Sequence, residues 1–512
     1  MSATSPRPFA LALALIVATM CGTNARAEDA PVSPAPHVSA EAVPPERTVA
    51  TKHSARIGGK AIEYTATAGT MLLHDDHDKP TASVFYHAYV AKGLGPTARR
   101  PITFSYNGGP GGSSALVDIG AFGPRTLETV NAGQSLPPPY RIVDNENSLL
   151  DRTDLVFIDA VGTGFSRLVG TGTAKEYYGV DEDAKAFAQI IRRYIGTNDR
   201  WNSPKYLAGE SYGTTRSAVL SKMLEENGIA VSGITLMSTV LDFETLVGSR
   251  SDDERYWTFL PTEAAIAAYQ RTIAPPANLD AFLSDVRTFA AGPYAQALSR
   301  GDALPQDDRA RIAARLHAYT GLPLEYIERS NLRVPPGRFE KALLAGSDET
   351  LGRYDARFRG FDIDPIDANA QSDPSSDAIF GAFTASFNAY VRGELNYKTD
   401  ADYTFLSYEV NHDWNWGRPK SSPGSVDVVG DLANAMTTDR YLRVISVNGL
   451  YDMATPFFAT EFALHHLGIV PQLQKNVSFR YYPSGHMIYL NPAAHAALKA
   501  DLDAFYDAGS RR

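Results

Sequence analysis

The chain of 512 residues is long enough for one large α/β domain with insertions, or for two modest domains. Hydrophobic residues make up 44% of it and aromatic residues 10%, which excludes intrinsic disorder for most of its length. The formal net charge of −10 at pH 7 offers no basic face to a nucleic acid, so nucleic-acid binding is not expected.

The first residues carry the features of an export signal. Arg7 precedes the apolar run 9–20, and a small-x-small cleavage pattern follows at 25–27. The run is too short for a permanent membrane helix, so no stable membrane anchor is expected. Cleavage after residue 27 would remove Cys21, the only cysteine, and a lipid on Cys21 is disfavoured because the preceding methionine is bulky. An exported chain without a disulfide indicates a bacterial protein that is periplasmic or secreted.

The remaining sequence predicts strands that alternate with helices. A hairpin with a Gly58-Gly59 turn is expected within 55–73. Further strands are predicted at 82–89, 102–106, 155–159, 205–207, 234–237, 442–447 and 477–482. Helices are predicted at 181–195, 214–227, 263–272, 280–290, 308–318 and 338–345.

This order predicts a doubly wound, mostly parallel sheet, interrupted by a mainly helical cap after which the sheet pattern resumes. The segments expected are a signal peptide at 1–27, a Pro/Ala-rich tether at 28–51, the first part of the core at 52–242, the cap at 243–439 and the second part of the core at 440–512.

Ser211 is the candidate nucleophile. It stands at the apex of Gly209-Glu210-Ser211-Tyr212-Gly213, which follows a short strand and opens a helix. Glycines suit this sharp turn because a Cβ would crowd it. A free serine hydroxyl is a poor nucleophile, so the motif requires a histidine and a carboxylate elsewhere in the chain.

Asp452 and His486 are the candidate partners of Ser211. Asp452 follows the strand 442–447, and His486 follows the strand 477–482 within Gly485-His486-Met487. The order Ser, Asp, His is that of an α/β-hydrolase, in which all three side chains lie at carboxyl ends of strands. Asp452 could instead cap a helix that begins near Pro456, but the catalytic interpretation is favoured.

A glycine-rich loop, 107–114, follows the strand 102–106. In a hydrolase such a loop supplies backbone N–H groups to the tetrahedral oxyanion, and the residue after the nucleophile supplies another. The expected donors are the N–H groups of Gly109 and Tyr212. A phosphate-binding loop is excluded because no Gly-Lys-Ser/Thr follows.

Other polar clusters favour structural roles. The stretch 74–78, His-Asp-Asp-His-Asp, resembles a set of metal ligands but lies in a polar turn between strands. No metal and no cofactor is expected. His465 and His466 lie on a predicted helix, and the aromatic stretches 403–405 and 414–416 are more typical of a core than of a substrate pocket.

The chain resembles the serine carboxypeptidase family, peptidase family S10, of the α/β-hydrolases. The resemblance is carried in the family's order by 107–111, 158–159 with 162–166, 209–213, the Asp452 loop and 485–487. It implies removal of single residues from peptides with a free C-terminus. Ser211 would be the nucleophile, His486 the general base and then acid, and Asp452 the group that orients the imidazole.

The resemblance also implies that Asn107, Gly108 and Glu210 bind the substrate's terminal carboxylate. Two ionised carboxylates in contact repel, so one of them must be protonated. In the family a second acid shares this task, but the corresponding position here is Ala121. Asp118, one helical turn earlier, is a candidate substitute. The departure predicts a pH optimum less acidic than in typical relatives, above roughly pH 4 to 5.

Two rival functions stay open at this point. One is a carboxylesterase or acyltransferase that uses the same triad, because the altered carboxylate site leaves room for it. The other is a catalytically silent binding protein, which the presence of all three triad residue types disfavours. The preferred C-terminal residue and the oligomeric state cannot be inferred from the sequence.

Overall fold

The computed structural model describes residues 43–248, 251–418 and 426–509. The expected signal peptide and most of the expected tether lie outside the described residues. The first strand begins at Thr48, inside the range predicted for the tether. None of the helices in the described ranges is long and apolar enough to cross a membrane.

Strands are numbered in chain order. They are β1 Thr48–Ile57, β2 Lys60–His74, β3 Pro80–Ala91, β4 Ile102–Tyr106, β5 Arg125–Leu127, β6 Ile142–Asp144, β7 Asp154–Ile158, β8 Arg167–Leu168, β9 Lys205–Glu210, β10 Gly233–Met237, β11 Glu349–Leu351, β12 Arg359–Phe361, β13 Arg443–Gly449 and β14 Val477–Tyr482.

Helices are numbered in the same way. They are α1 Val180–Thr197, α2 Tyr212–Glu226, α3 Glu254–Gln270, α4 Leu279–Phe289, α5 Ala295–Ser299, α6 Gln306–Thr320, α7 Leu324–Arg329, α8 Pro336–Ala342, α9 Pro374–Asp377, α10 Phe380–Gly393, α11 Tyr408–His412, α12 Val429–Thr438, α13 Phe457–His465, α14 Pro471–Gln474 and α15 Pro492–Gly509.

The main sheet has the strand order β1-β2-β3-β7-β4-β9-β10-β13-β14, with β8 paired to β3. From β7 to β14 neighbouring strands run parallel, whereas β1, β2, β3 and β7 pair antiparallel. Ile57 pairs with Lys60 across the predicted Gly58-Gly59 turn. The sheet with its helices is an α/β-hydrolase fold, as the sequence predicted.

The parallel strands other than the edge strand β14 are buried on both faces because helices cover each side of the sheet. On one face α1, α2 and α12 contribute Phe187, Val219 and Leu432 to a common core. On the other face α10 and α15 contribute Phe383 and Leu498 to a second core. The sheet is therefore a rigid support for the loops at the carboxyl ends of its strands.

The chain between β10 and β13 is mainly helical, and its helices belong to two groups that pack against different parts of the molecule. Helices α3, α4 and α6 form a separate core that includes Leu450 and Met453, close to Asp452 in sequence. In contrast, α10 and α12 pack against the two faces of the sheet. Only part of the segment predicted as a cap thus shares a core with the loop after β13.

Candidate active site

Ser211 is the single residue between the end of β9 and the start of α2. Its φ of 60° and ψ of −131° form a strained conformation for a residue with a side chain. A Cβ on Gly209 would lie 2.1 Å from the carbonyl oxygen of Gly213, so the crowded turn requires glycine at that position. Ser211 is partly exposed while Glu210 and Tyr212 on either side are buried. The turn therefore presents the serine outward from the sheet.

Asp452 and His486 form a buried pair. Nδ1 of His486 lies 2.8 Å from Oδ2 of Asp452. Oδ1 of Asp452 accepts hydrogen bonds from the backbone N–H groups of Ala454 (2.8 Å) and Thr455 (2.9 Å), and the Thr455 hydroxyl donates to Oδ2 at 2.7 Å. With donors on both oxygens the carboxylate has a fixed orientation, and it holds the imidazole so that Nε2 is free for proton transfer.

The backbone of His486 is hydrogen-bonded to the residue that follows β10, the strand next to β9. The Ser238 hydroxyl, directly after β10, donates to the carbonyl oxygen of His486 at 2.6 Å. The backbone N–H of His486 donates to the carbonyl of Tyr354 at 2.6 Å, and the Tyr354 ring packs against the imidazole at 5.1 Å between centroids. Both ring and backbone of His486 are therefore fixed from two sides.

Charges around His486 set its basicity. Burial opposes the charged imidazolium, but the charge and hydrogen bond of Asp452, together with Glu210, outweigh burial and raise the pKa of His486. The influence of Glu210 is consistent with the position of the imidazole near the end of β9. A base with a raised pKa readily accepts the proton of a serine hydroxyl.

The glycine-rich loop after β4 comes within contact distance of the start of α2. A Cβ on Gly108 would lie 2.4 Å from the backbone nitrogen of Tyr212, so only a glycine permits this approach. In the described part of the chain no group accepts a hydrogen bond from the N–H of Gly109. The N–H of Tyr212, at the first position of α2, has no partner within the helix. The N–H groups of Gly109 and Tyr212 are thus two donors without a backbone acceptor among the described residues, and donors of this kind are what an oxyanion hole uses.

Glu210 lies beside Ser211 in a fully buried polar pocket. Nδ2 of Asn107 donates to Oε1 of Glu210 at 2.6 Å, and the Tyr489 hydroxyl lies 3.5 Å from the same oxygen. The other oxygen, Oε2, is buried with no partner among the described residues. Burial outweighs these contacts and raises the pKa of Glu210 to about 7. A neutral Glu210 can donate a hydrogen bond to an incoming carboxylate.

Asp118 does not substitute for the missing second acid. Residues 117–122 form a π-helical turn rather than a regular α-helix. Oδ2 of Asp118 lies 2.9 Å from Nε2 of His87 and accepts a hydrogen bond from the Tyr89 hydroxyl at 2.9 Å. These partners belong to β3, and none of the described hydrogen bonds joins Asp118 to Glu210. The expectation that Asp118 takes over this task is wrong.

Three residues that contact the site were not anticipated from the sequence. Thr455 bonds to both Asp452 and His486, Tyr489 reaches Glu210, and Arg216 donates to the carbonyl of Asn107. A signal was available for Arg216, because it is the one charged residue in the first three turns of an otherwise buried helix. Tyr489 gave no such signal, since an aromatic residue after the last strand is usually read as part of the core.

The polar turn 74–78 serves the hairpin between β2 and β3. Oδ1 of Asp75 accepts hydrogen bonds from the backbone N–H groups of His77 (2.8 Å) and Lys79 (2.9 Å). Across the described ranges, no group of three or more His, Cys, Asp or Glu side chains is arranged to hold a metal ion.

Comparison with known proteins adds to this geometry. The prohormone-processing carboxypeptidase Kex1Δp of Saccharomyces cerevisiae is similar in structure, with a TM-score of 0.56 and 16% identity over 87% of this chain and 91% of that one. Residues 64–246 match the family model described as serine carboxypeptidase. Over residues 64–246, about a third of its length, the chain is similar to the serine carboxypeptidase family.

Two curated carboxypeptidases are similar to part of this chain. The pheromone-processing carboxypeptidase kex1 of Aspergillus niger is 30% identical over 168 residues, which are 30% of this chain and 24% of that protein. The carboxypeptidase Y homolog of Arthroderma benhamiae is 33% identical over 147 residues, 28% of this chain and 27% of that protein. The chain thus spans about a quarter of the length of each relative. The family match includes the elbow and the glycine-rich loop, and ends before Asp452 and His486.

Proposed function

We propose that this chain is a serine carboxypeptidase that removes C-terminal residues from peptides. The observation that carries the proposal is the buried pair of Asn107 and Glu210, whose side chains are 2.6 Å apart and of which Glu210 directly precedes Ser211. A hydrolase acting on neutral esters has no use for a neutral acid at this position. A hydrolase that must recognise a free carboxylate beside the scissile bond requires such a donor.

The proposed reaction uses Ser211, His486 and Asp452 as a triad. Ser211 attacks the scissile carbonyl while His486 takes its proton, and Asp452 stabilises the imidazolium that forms. The N–H groups of Gly109 and Tyr212 stabilise the oxyanion of the tetrahedral intermediate. His486 then protonates the leaving amine, which departs as the released C-terminal residue. Water, deprotonated by His486, hydrolyses the acyl-enzyme and restores Ser211.

Asn107, Gly108 and Glu210 are proposed to bind the terminal carboxylate. The amide of Asn107 and the protonated carboxyl of Glu210 are donors, and Gly108 brings the glycine-rich loop against the start of α2. This arrangement fixes the scissile bond one residue from the terminus. It therefore accounts for cleavage of single residues rather than internal bonds.

The test compares a blocked dipeptide with its C-terminal amide, on wild type and on Ser211→Ala. A carboxypeptidase cleaves the free acid, discriminates against the amide, and loses activity in Ser211→Ala. Equal cleavage of acid and amide would contradict carboxylate recognition. Alanine at position 121, where relatives carry a second acid, favours a carboxylesterase or acyltransferase as the second candidate. Cleavage of simple esters without cleavage of blocked dipeptides would establish that alternative.

Export to a bacterial periplasm or to the medium is part of the proposal. It is supported by the signal-like pattern of 1–27, which lies outside the described residues. Amino-terminal sequencing of the protein recovered from a periplasmic extract would test it. A mature chain that starts after residue 27 is expected, and a chain that retains the first residues would contradict export.

A further inference from the structure

Arg216 is a fully buried arginine on α2, one and a half turns after Ser211. Its side chain has 0% exposure. Nε and Nη2 donate to the two oxygens of Asp183 at 2.6 and 3.2 Å, and Nη1 donates to the backbone carbonyl of Asn107 at 2.7 Å. The guanidinium thus connects α2 with α1 and with the glycine-rich loop.

Aromatic rings enclose the guanidinium on its remaining sides. The Arg216 Cζ atom lies 5.1 Å from the ring centroid of Tyr106, 4.3 Å from that of Phe187 and 5.4 Å from that of Tyr212. The rings exclude water and prevent the side chain from adopting another rotamer. A buried ion pair is weak evidence for stability, because desolvation opposes the attraction between the charges. What such a pair supplies is a fixed geometry.

The contacts of Arg216 fix the positions of the hydrogen-bond donors in the proposed site. Asn107 is held at its carbonyl by Arg216, and at its side chain by Glu210 and by the backbone N–H of Val117, which donates to Oδ1 at 3.0 Å. Gly109, the first oxyanion donor, is two residues further along the same loop. Tyr212, the second donor, is on the same helix as Arg216. One side chain therefore links the two elements that carry the two donors.

We propose that Arg216, held by Asp183, is a positioning residue that fixes the glycine-rich loop relative to the start of α2. It maintains the distance between the N–H groups of Gly109 and Tyr212 and the orientation of the Asn107 amide. The inference rests on the proposed function for its chemistry, but the oxyanion hole serves esters as well as peptides. A displacement of about 1 Å in such a site lowers the rate on the order of 100-fold.

The chain offers a matched control at the opposite ends of the strands. Arg200 is also buried, with 1% exposure, and pairs with Asp154 at 2.8 Å while Nη2 donates to the carbonyl of Arg100 at 2.9 Å. Asp154 begins β7, so this pair lies at the amino end of the sheet, away from Ser211. Arg200→Lys therefore perturbs a similar ion pair without touching the site.

The experiment compares Arg216→Lys and Arg200→Lys by kcat, KM and inhibition by a peptide boronic acid, a mimic of the tetrahedral intermediate. Active sites are first titrated with a fluorophosphonate, so that only folded enzyme is counted. For Arg216→Lys, kcat is expected to fall about 30- to 100-fold with KM within about threefold, and boronate affinity to fall in parallel with kcat/KM. For Arg200→Lys, kcat per titrated site is expected to stay within about twofold.

A double variant tests whether a loss of activity in Arg216→Lys results from misfolding. Arg216→Met with Asp183→Leu replaces the ion pair by apolar groups, a change that is often neutral for stability, and removes the bond to Asn107. It is expected to fold and to show the same loss of kcat and boronate affinity. Boronate affinity unchanged in either variant, or equal losses in Arg216→Lys and Arg200→Lys, would overturn the inference.

Measurements on an ester substrate distinguish a failure of this inference from a failure of the proposed function. If wild type cleaves p-nitrophenyl acetate but no free-acid dipeptide, the carboxypeptidase proposal fails. The effect of Arg216 on the oxyanion hole is then measured on the ester, with the same expected loss.

Discussion

Asp452 and His486 lie 2.8 Å apart from Oδ2 to Nδ1, and neither side chain is more than 4% exposed. The carboxylate receives two backbone and one hydroxyl hydrogen bond in addition to the imidazole. Because these donors leave it little freedom to rotate, the carboxylate fixes both the tautomer and the plane of the ring.

Asp452→Asn is expected to lower kcat on the order of 10³- to 10⁴-fold with a small change in KM, because an amide favours the wrong imidazole tautomer. Steady-state kinetics on a blocked dipeptide measures this. A matched control is Asp118→Asn, which alters the other buried Asp–His pair of the described chain, with His87. If Asp118→Asn lowered kcat as strongly as Asp452→Asn, the special role of Asp452 would be refuted.

Gly108→Ala is expected to abolish most activity, since its Cβ would lie 2.4 Å from the nitrogen of Tyr212 and 2.7 Å from that of Gly213. Loop and helix must separate, which widens the oxyanion hole and lowers kcat on the order of 100-fold. Gly381→Ala on α10 is the control, because a Cβ there meets nothing within 4 Å. Kinetics and thermal unfolding of both variants check the prediction, and a fully active Gly108→Ala would contradict it.

Much of this arrangement could be predicted because it is encoded locally. The hairpin turn at Gly58-Gly59 and the strand before Ser211 follow from period and turn residues over a few positions. Asp452 and His486 were found because an open α/β sheet gathers the carboxyl ends of its strands at one edge. The expectation that these strand ends meet at one edge was therefore enough to predict that Asp452 and His486 lie together.

The contacts that escaped prediction depend on packing between distant segments. Tyr489 meets Glu210, and Arg216 meets Asp183 and Asn107, only once helices are docked on the sheet. No sequence period marks such pairs. Asp118 was misjudged for a related reason, because its offset from Ala121 was taken as one α-helical turn whereas the segment is π-helical and directs Asp118 to His87.

The activity on free-acid substrates is expected to fall as pH rises through about 7. The pKa of Glu210 is raised to about 7, so Glu210 is neutral and a donor below that pH and becomes a repelling carboxylate above it. In Glu210→Gln the falling limb of the kcat/KM profile is expected to disappear, because glutamine donates without titrating. The rising limb of the same profile, which reflects deprotonation of His486, is expected to be unchanged. An unchanged falling limb in Glu210→Gln would assign it to another group.

Tyr489→Phe is expected to move the fall in kcat/KM on free-acid substrates to higher pH, because the Tyr489 hydroxyl donates to Glu210 and lowers the pKa of that carboxyl. The kcat on a simple ester should be unaffected, since the oxyanion donors are untouched. Parallel kinetics on acid, amide and ester across this pH range measure the effect. A uniform loss on all three substrates would indicate a packing role instead.

Glu263 on α3 is expected to make the stability of the helical insertion depend on pH. Burial and the neighbouring Glu340 raise the pKa of Glu263 to about 8. The unfolded chain ionises this group near its ordinary pKa, so the stability that a neutral Glu263 provides is lost as pH rises from about 4.5 through about 8. Glu263→Gln is expected to raise Tm at pH 8 relative to wild type and to leave it nearly unchanged at pH 4. The exposed Glu325→Gln is the control.

The position of β13 and β14 at the end of the strand succession has a consequence for biosynthesis. During translation the elbow with Ser211 can form on β9 long before the ribosome has made the residues that become β13 and β14. Until those two strands add to the edge formed by β10, Asp452 and His486, which we propose as the partners of Ser211, are not in place. On the proposed mechanism, a growing chain therefore carries a nucleophile without its base, and the proposed hydrolytic activity arises only with the last strands of the sheet.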